Sequence, residues 1–344
     1  MERPDLSTAS DEIIRYIEYL EKKLNINEDA NEGISHDRSL AAFPPEPETT
    51  VGLITISHSG MAKRTYRHLY LRQHRGGMGV FDLDAPQPDF PLVMGLVDEN
   101  QTILALTNRA RAFRLHARSI ESAPVRSKGI NPFERLGLDN DERVVVILPE
   151  QARGYIALLG ASGKVRLLRH HLFGEHMKPG TVLFNPVEFG PLTSACWTPG
   201  DAEVFIVTAG GMGIRFSEKS ISPQGELGIR VGENDRAVGI ASVTDDSALF
   251  LIGSDGRGTT RQMNGFAPNK SPGGSGKIAF KNSKTIGAIS VEPSDDLFVI
   301  TRNGKLIRFM ADEVPLTEAP VQGVNCVSLR SDEVVAFTLS KQNQ

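Results

Sequence analysis

Two cysteines in 344 residues, one tryptophan and an aromatic share of 6% leave little for the chemistry those residues carry. Cys196 and Cys326 lie far apart and would pair only by an accident of folding, so a reducing compartment, the cytoplasm, is expected. No window of about 18 apolar residues exists, and the opening Met1-Glu2-Arg3-Pro4-Asp5 is charged where an export signal is apolar. Neither a membrane span nor secretion is expected. Neither charge sign dominates: 38 Lys+Arg stand against 42 Asp+Glu, a net of -4. That excludes a uniformly basic nucleic-acid binder and leaves room for a local basic patch. What is plentiful is glycine, at 33 residues, with 20 prolines in an otherwise ordinary globular composition. The balance favours many short strands joined by tight turns.

Charge changes sign along the chain. Residues 1–50 hold 12 acids and 5 bases, a net of -7, so the remainder carries +3. Within 1–24, the stretch Asp11 to Leu24 places Ile13, Ile17, Leu20 and Leu24 on one helical stripe, with Ser10 as N-cap and Lys22 and Lys23 in the last turn. This short N-terminal helix is marginal alone and needs a partner surface: its own domain, a second copy, or a different protein chain. Residues 25–50 are polar, end in Phe43-Pro44-Pro45-Glu46-Pro47, and read as a linker.

From Val51 the chain repeats. GLITISHSGMAKRTY, ILALTNRARAFRLH, YIALLGASGKVRLL, VFIVTAGGMGIRFS, LFLIGSDGRGTTRQ and LFVITRNGKLIRFM align without gaps as six hairpins. Their turn residues are Gly60, Ala110, Gly163, Gly211, Gly256 and Gly304. Glycine suits a turn with positive φ, so Ala110 is expected to mark a different geometry. After the hairpins comes a weaker repeat of glycine, short strand, acidic turn and apolar strand, as in 127–148, 223–243, 273–291 and 321–339. Four strands per unit and six units over 51–344 predict an all-β, six-bladed β-propeller. One tryptophan cannot supply a Trp-Asp dipeptide to every blade, which disfavours the WD class.

The hairpins and their Gly-Ile-Arg steps, as at Gly213-Ile214-Arg215, make residues 50–340 resemble the DNA gyrase A C-terminal domain and its topoisomerase IV counterpart. The resemblance is sharpest at Gln73 to Gly79, QHRGGMG, against the family's gyrase-A box QRRGGKG: Gln73, Arg75, Gly76, Gly77 and Gly79 match, while His74 and Met78 replace cations. The resemblance implies a β-pinwheel that binds and wraps duplex DNA on its rim, without cleavage or ATPase chemistry and without a cofactor. With two cations of the box replaced, weaker wrapping than the family's is expected. With 50 residues ahead of the propeller, there is no room for a cleavage domain, and a stand-alone module working beside a topoisomerase is expected, attached through residues 11–24.

The charges themselves point the same way. Met61 to Phe81 carries Lys63, Arg64, Arg67, Arg72 and Arg75 and no acid, and Gly76 and Gly77 permit close approach of main-chain N–H groups to phosphate. The second hairpin adds Arg111 and Arg114, the third Lys164, Arg166 and Arg169, each in an acid-free stretch. These are the candidate DNA contacts. The fifth unit carries Arg257, Arg261, Lys270, Lys277, Lys281 and Lys284 against Asp255, whereas in the fourth the acids outnumber the bases.

Other motifs fail. Asp98-Glu99, Asp245-Asp246 and Asp295-Asp296 recur at one register and read as turn chemistry rather than a catalytic pair. Gly273 to Lys277 imitates a phosphate loop but lacks its first glycine and its hydroxyl residue. His170, His171 and His176 have no partner set for a metal. Two functions remain open: a non-catalytic DNA-binding and bending propeller, or a protein-interaction scaffold that kept the fold and lost wrapping.

Overall fold

Residues 43–341 are described by the structure, a computed structural model. The stripe of Ile13, Ile17, Leu20 and Leu24 therefore lies outside the described residues. Each predicted hairpin forms: Val51–Ser57 with Ala62–Tyr66, Thr102–Thr107 with Arg111–His116, and Tyr155–Gly160 with Lys164–Arg169. Glu203–Thr208 with Met212–Ser217, Ala248–Gly253 with Arg257–Gln262, and Asp296–Thr301 with Lys305–Met310 complete the six. They define blades 1 to 6.

The first strand of each hairpin is apolar along its whole length because it is buried on both faces. In blade 2, Ile103 and Ala105 pack with Ile54 and Ile56 of blade 1, while Leu104 and Leu106 pack with Ile156 and Leu158 of blade 3. The same alternation links blades 3 and 4, 4 and 5, and 5 and 6. Phe298 and Ile300 of blade 6 then pack on Val51 and Leu53 of blade 1. Six cores thus lie between six blades, and the ring is closed. The apolar strand ending each unit, such as Val144–Pro149, pairs with the first hairpin strand and touches its counterparts in both neighbours, forming the inner wall.

The blades depart from the expected four strands per unit in one respect. The outermost strand of each blade comes from the following unit: Thr181–Val182 joins blade 2, Glu226–Leu227 blade 3 and Lys277–Ile278 blade 4. Ala62 likewise bridges to Ile130 in blade 1. Val80–Phe81, from the first unit, pairs with Lys305–Leu306 of blade 6. The exchange latches every blade to the next, and the last latch shuts the ring.

Ala110 is a second correction. It has φ 56° and its N–H donates to the Thr107 carbonyl at 2.8 Å, the geometry of the glycine turns rather than a different one. The conformation costs an alanine about 1–2 kcal/mol. The methyl is buried among Leu104, Leu106 and Phe184, which offsets part of that. At Gly163 and Gly211 an added Cβ would lie 2.1 Å from a carbonyl oxygen two residues past the exchanged strand, that of Ile229 or Phe280, so alanine cannot take those places.

Candidate nucleic-acid interface

A cation four residues past the turn recurs in four blades as Arg64, Arg114, Arg215 and Arg308. It sits on the second hairpin strand, where the neighbouring blade and its connection bury Arg64, Arg215 and Arg308 and partly cover Arg114. A buried guanidinium requires a carboxylate. Arg64 reaches Glu99 at 3.4 Å, Arg114 reaches Glu150 at 2.8 Å, and Arg215 reaches Asp245 at 2.7 Å and also Glu203. Arg308 binds Asp296 at 2.5 Å and Glu46 at 2.6 Å. The acidic pairs that read as turn chemistry therefore have this further role, which sequence reasoning missed; their recurrence at one register was its signal.

The run from Met61 to Phe81 is absorbed the same way. Lys63 is fully buried, bonded to Asp82 at 2.7 Å and to the carbonyls of Asp82, Pro124 and Val125. Burial lowers its pKa, and the Asp82 carboxylate opposes that shift. Tyr70 and Thr55 donate hydroxyls to the same carboxylate at 2.5 and 2.9 Å. Arg67 pairs with Glu46 at 2.6 Å. Arg72 grips Asp296 with two bonds of 2.7 and 3.0 Å, which raise its pKa.

Gln73 to Gly79 lies along blades 5 and 6. The Gln73 N–H donates to the Arg308 carbonyl, the Arg75 N–H to the Glu313 carboxylate at 3.0 Å, and the Arg75 side chain to the Glu313 and Asn325 carbonyls. His74 pairs with Glu313 at 3.1 Å. The Gly76 N–H donates to the Cys326 carbonyl at 2.8 Å, and the Gly77 carbonyl accepts from Ser328 at 2.9 Å. A Cβ on Gly79 would lie 2.5 Å from the Leu306 carbonyl. The glycines admit another strand's backbone here, and the amide of Gly76 already has its acceptor. Lys63, Arg67, Arg72 and Arg75 thus come together at the seam that closes the ring, whereas Arg64, on the opposite face of its strand, is turned toward blade 2 and Glu99; of the five, all but Arg75 pair with a carboxylate. Met78, half exposed, stays on the surface.

The other candidates lie apart from this seam. Arg111 pairs with Glu142 at 2.7 Å and Lys164 with Glu188 at 3.8 Å. Arg166 donates to the Leu183 and Pro223 carbonyls, and exposed Arg169 stacks on Tyr155, each without a carboxylate among the described residues.

The fifth unit differs. From Gly256 to Val291 there is no acid. Arg257, Lys270, Lys277, Lys281 and Lys284 are exposed and make no ion pair among the described residues. The hairpin carries Arg257, the outer strand of blade 4 carries Lys277, and the connections beside that strand carry Lys270, Lys281 and Lys284. Such a set of solvated cations concentrates phosphate without reading bases.

The family described as DNA gyrase C-terminal domain, beta-propeller, matches residues 53–85, 202–244 and 295–340. The DNA gyrase A protein of Escherichia coli K12 is 27% identical over 297 residues, 82% of this chain and 34% of that protein. The gyrase A protein of Staphylococcus epidermidis (ATCC 12228) is 26% identical over 313 residues, 87% and 35% respectively. The solved DNA gyrase A C-terminal domain superposes with a TM-score of 0.74 at 21% identity, covering 84% of this chain and 99% of that one. The fold is that of the solved gyrase A C-terminal domain. The topoisomerase IV C-terminal domain superposes less closely, with a TM-score of 0.59 at 16% identity over 85% of this chain and 93% of that one. This chain spans about a third of the length of the curated gyrase A proteins it matches. The acid-free stretch 256–291 falls wholly outside the matched segments, whereas the seam run falls inside the first.

Among the described residues no helix is long and apolar enough to cross a membrane, and no cluster of three His, Cys, Asp or Glu side chains is placed to hold a metal. Burial pushes both thiols, Cys196 and Cys326, up to about 12, so neither is a thiolate at neutral pH.

Proposed function

We propose that this chain binds duplex DNA through phosphate contacts on the rim of the propeller and bends it there, without catalysis and without reading sequence. The observation that carries the reading is the set of five exposed, unpaired cations within 256–291 on a gyrase-type propeller. Cations on phosphates release counterions, so affinity falls steeply with salt, and they carry no base information. In this reading the chain works beside a type II topoisomerase, with the apolar stripe of residues 11–24 as its attachment.

The test is topological. Relaxed plasmid, the purified chain, a separate relaxing topoisomerase and a salt series give a protein-dependent change in linking number if DNA is wrapped with a defined hand. Binding without that change describes a phosphate clamp that bends but does not wrap.

A second reading, a protein-interaction scaffold, is favoured by the seam. There Arg72 is tied to Asp296, the Arg75 guanidinium is taken up by the Glu313 and Asn325 carbonyls, and Leu69, Leu71, Met78, Val80 and Phe81 are exposed. Absence of duplex binding at low salt, with a protein partner retained at high salt, supports this reading over the first.

A further inference from the structure

Blade 5 departs from the arginine rule of blades 1, 2, 4 and 6. Four residues past Gly256 stands Thr260, and the arginine comes one position later, as Arg261. Successive strand residues point to opposite faces. Arg261 therefore takes the place that Leu115, Leu168, Phe216 and Phe309 hold in blades 2, 3, 4 and 6, an apolar position. It is 4% exposed and has no carboxylate partner among the described residues. Nε and Nη1 are buried with no acceptor, and Nη2, which makes no hydrogen bond among the described residues, is the nitrogen open to one. A buried cation with an orphaned fork is costly, and the missing partner is an oxyanion.

The surroundings suit one. The Arg261 guanidinium lies 5.7 Å from the centroid of the Phe266 ring, and the Lys277 ammonium lies 5.8 Å from the same centroid. Phe266 is fixed edge-on against Phe205, and its carbonyl accepts from Arg215, so the platform is rigid. Lys277 is exposed, and Lys270 and Lys281 lie on either side of it in the same acid-free sequence.

We infer that Arg261 and Lys277, set around the Phe266 ring at the outer junction of blades 4 and 5, form an anchoring site for a backbone phosphodiester of duplex DNA. The site deepens the DNA-binding reading and rests on it. A phosphate oxygen supplies the acceptor the guanidinium lacks, and Lys277 neutralises the second oxygen.

The test compares the intact chain with Arg261→Met and Lys277→Gln in binding to a short labelled duplex across about 50 to 200 mM salt. Arg261→Met is expected to weaken binding about tenfold or more, while raising the melting temperature, because an apolar side chain replaces an unpaired buried charge. Lys277→Gln, at an exposed position, is expected to lower the slope of log affinity against log salt by about one and to leave melting unchanged. Tight binding by the parent chain with affinity and slope unaltered in both variants overturns the anchor and leaves the DNA reading standing. No duplex binding by the parent chain at low salt overturns both.

Discussion

Two stretches of this chain look alike in sequence and differ in the folded molecule. Met61 to Phe81 and Gly256 to Val291 both carry five or six cations and no acid. In the first, Lys63, Arg64, Arg67 and Arg72 are salt-bridged to carboxylates supplied from outside the run. In the second, Arg257, Lys270, Lys277, Lys281 and Lys284 face solvent. A local excess of positive charge therefore measures neither exposure nor field. What decides is whether the fold brings acids to it, and the packing of blade 1 against its neighbours does so for the first run alone.

The largest test of that contrast is Asp82→Asn, which leaves Lys63 buried without a counter-charge. Removing one partner of a buried pair costs about 3–5 kcal/mol, so denaturant unfolding is expected to shift by that order while Lys277→Gln leaves it unchanged. A loss under about 1 kcal/mol would remove the seam's structural role.

Next in size is the triple variant Lys270→Gln, Lys277→Gln, Lys281→Gln. Its salt slope for duplex binding is expected to fall by about three, with far-UV spectrum and melting preserved. Arg72→Ala with Arg75→Ala is expected to act chiefly on melting. If the pair changes the slope as much as the triple does, the contrast between the runs fails.

Cys326 gives a local probe of the seam, because its carbonyl receives the Gly76 N–H, while Cys196 lies in blade 3. Both thiols are raised to about 12 by burial, so both should resist a thiol reagent in the native protein. Asp296→Asn, which deprives Arg72 and Arg308 of their shared carboxylate, is expected to speed labelling of Cys326 and not of Cys196. Equal acceleration would indicate global loosening. The raised values also fix a sign: the unfolded thiols ionise near pH 8.5 and the folded ones near 12, so the stability they contribute is whole below about pH 8.5 and falls as pH climbs towards 12.

The smallest effect is expected from Met78→Lys. This half-exposed position lies within the box. One added cation should raise the salt slope by about one with melting unchanged. No change in slope would mean that DNA does not pass the seam.

Much of the fold was legible because each hairpin carries its own signal: five turn glycines with positive φ and first strands buried on both faces. The strand exchange was not. Val80–Phe81, Thr181–Val182 and Lys277–Ile278 are two residues long, too short for periodicity, and they pair with a hairpin from another unit. Ala110 escaped because its φ is set by the turn around it and not by its own preference. The candidate site was misweighted for a related reason. The acids that neutralise Lys63, Arg64 and Arg72 stand 19, 35 and 224 residues away in sequence, beyond any local window. The carboxylates that miss the fifth unit are equally invisible until the blades are in place.

The most direct measurement is lysine acetylation of the native chain, read residue by residue with and without duplex DNA. The account predicts that Lys63 is unreactive in both samples, and that Lys270, Lys277, Lys281 and Lys284 react freely alone and are protected by DNA. Equal reactivity of those four lysines in the two samples, or ready modification of Lys63 in the folded chain, would contradict it.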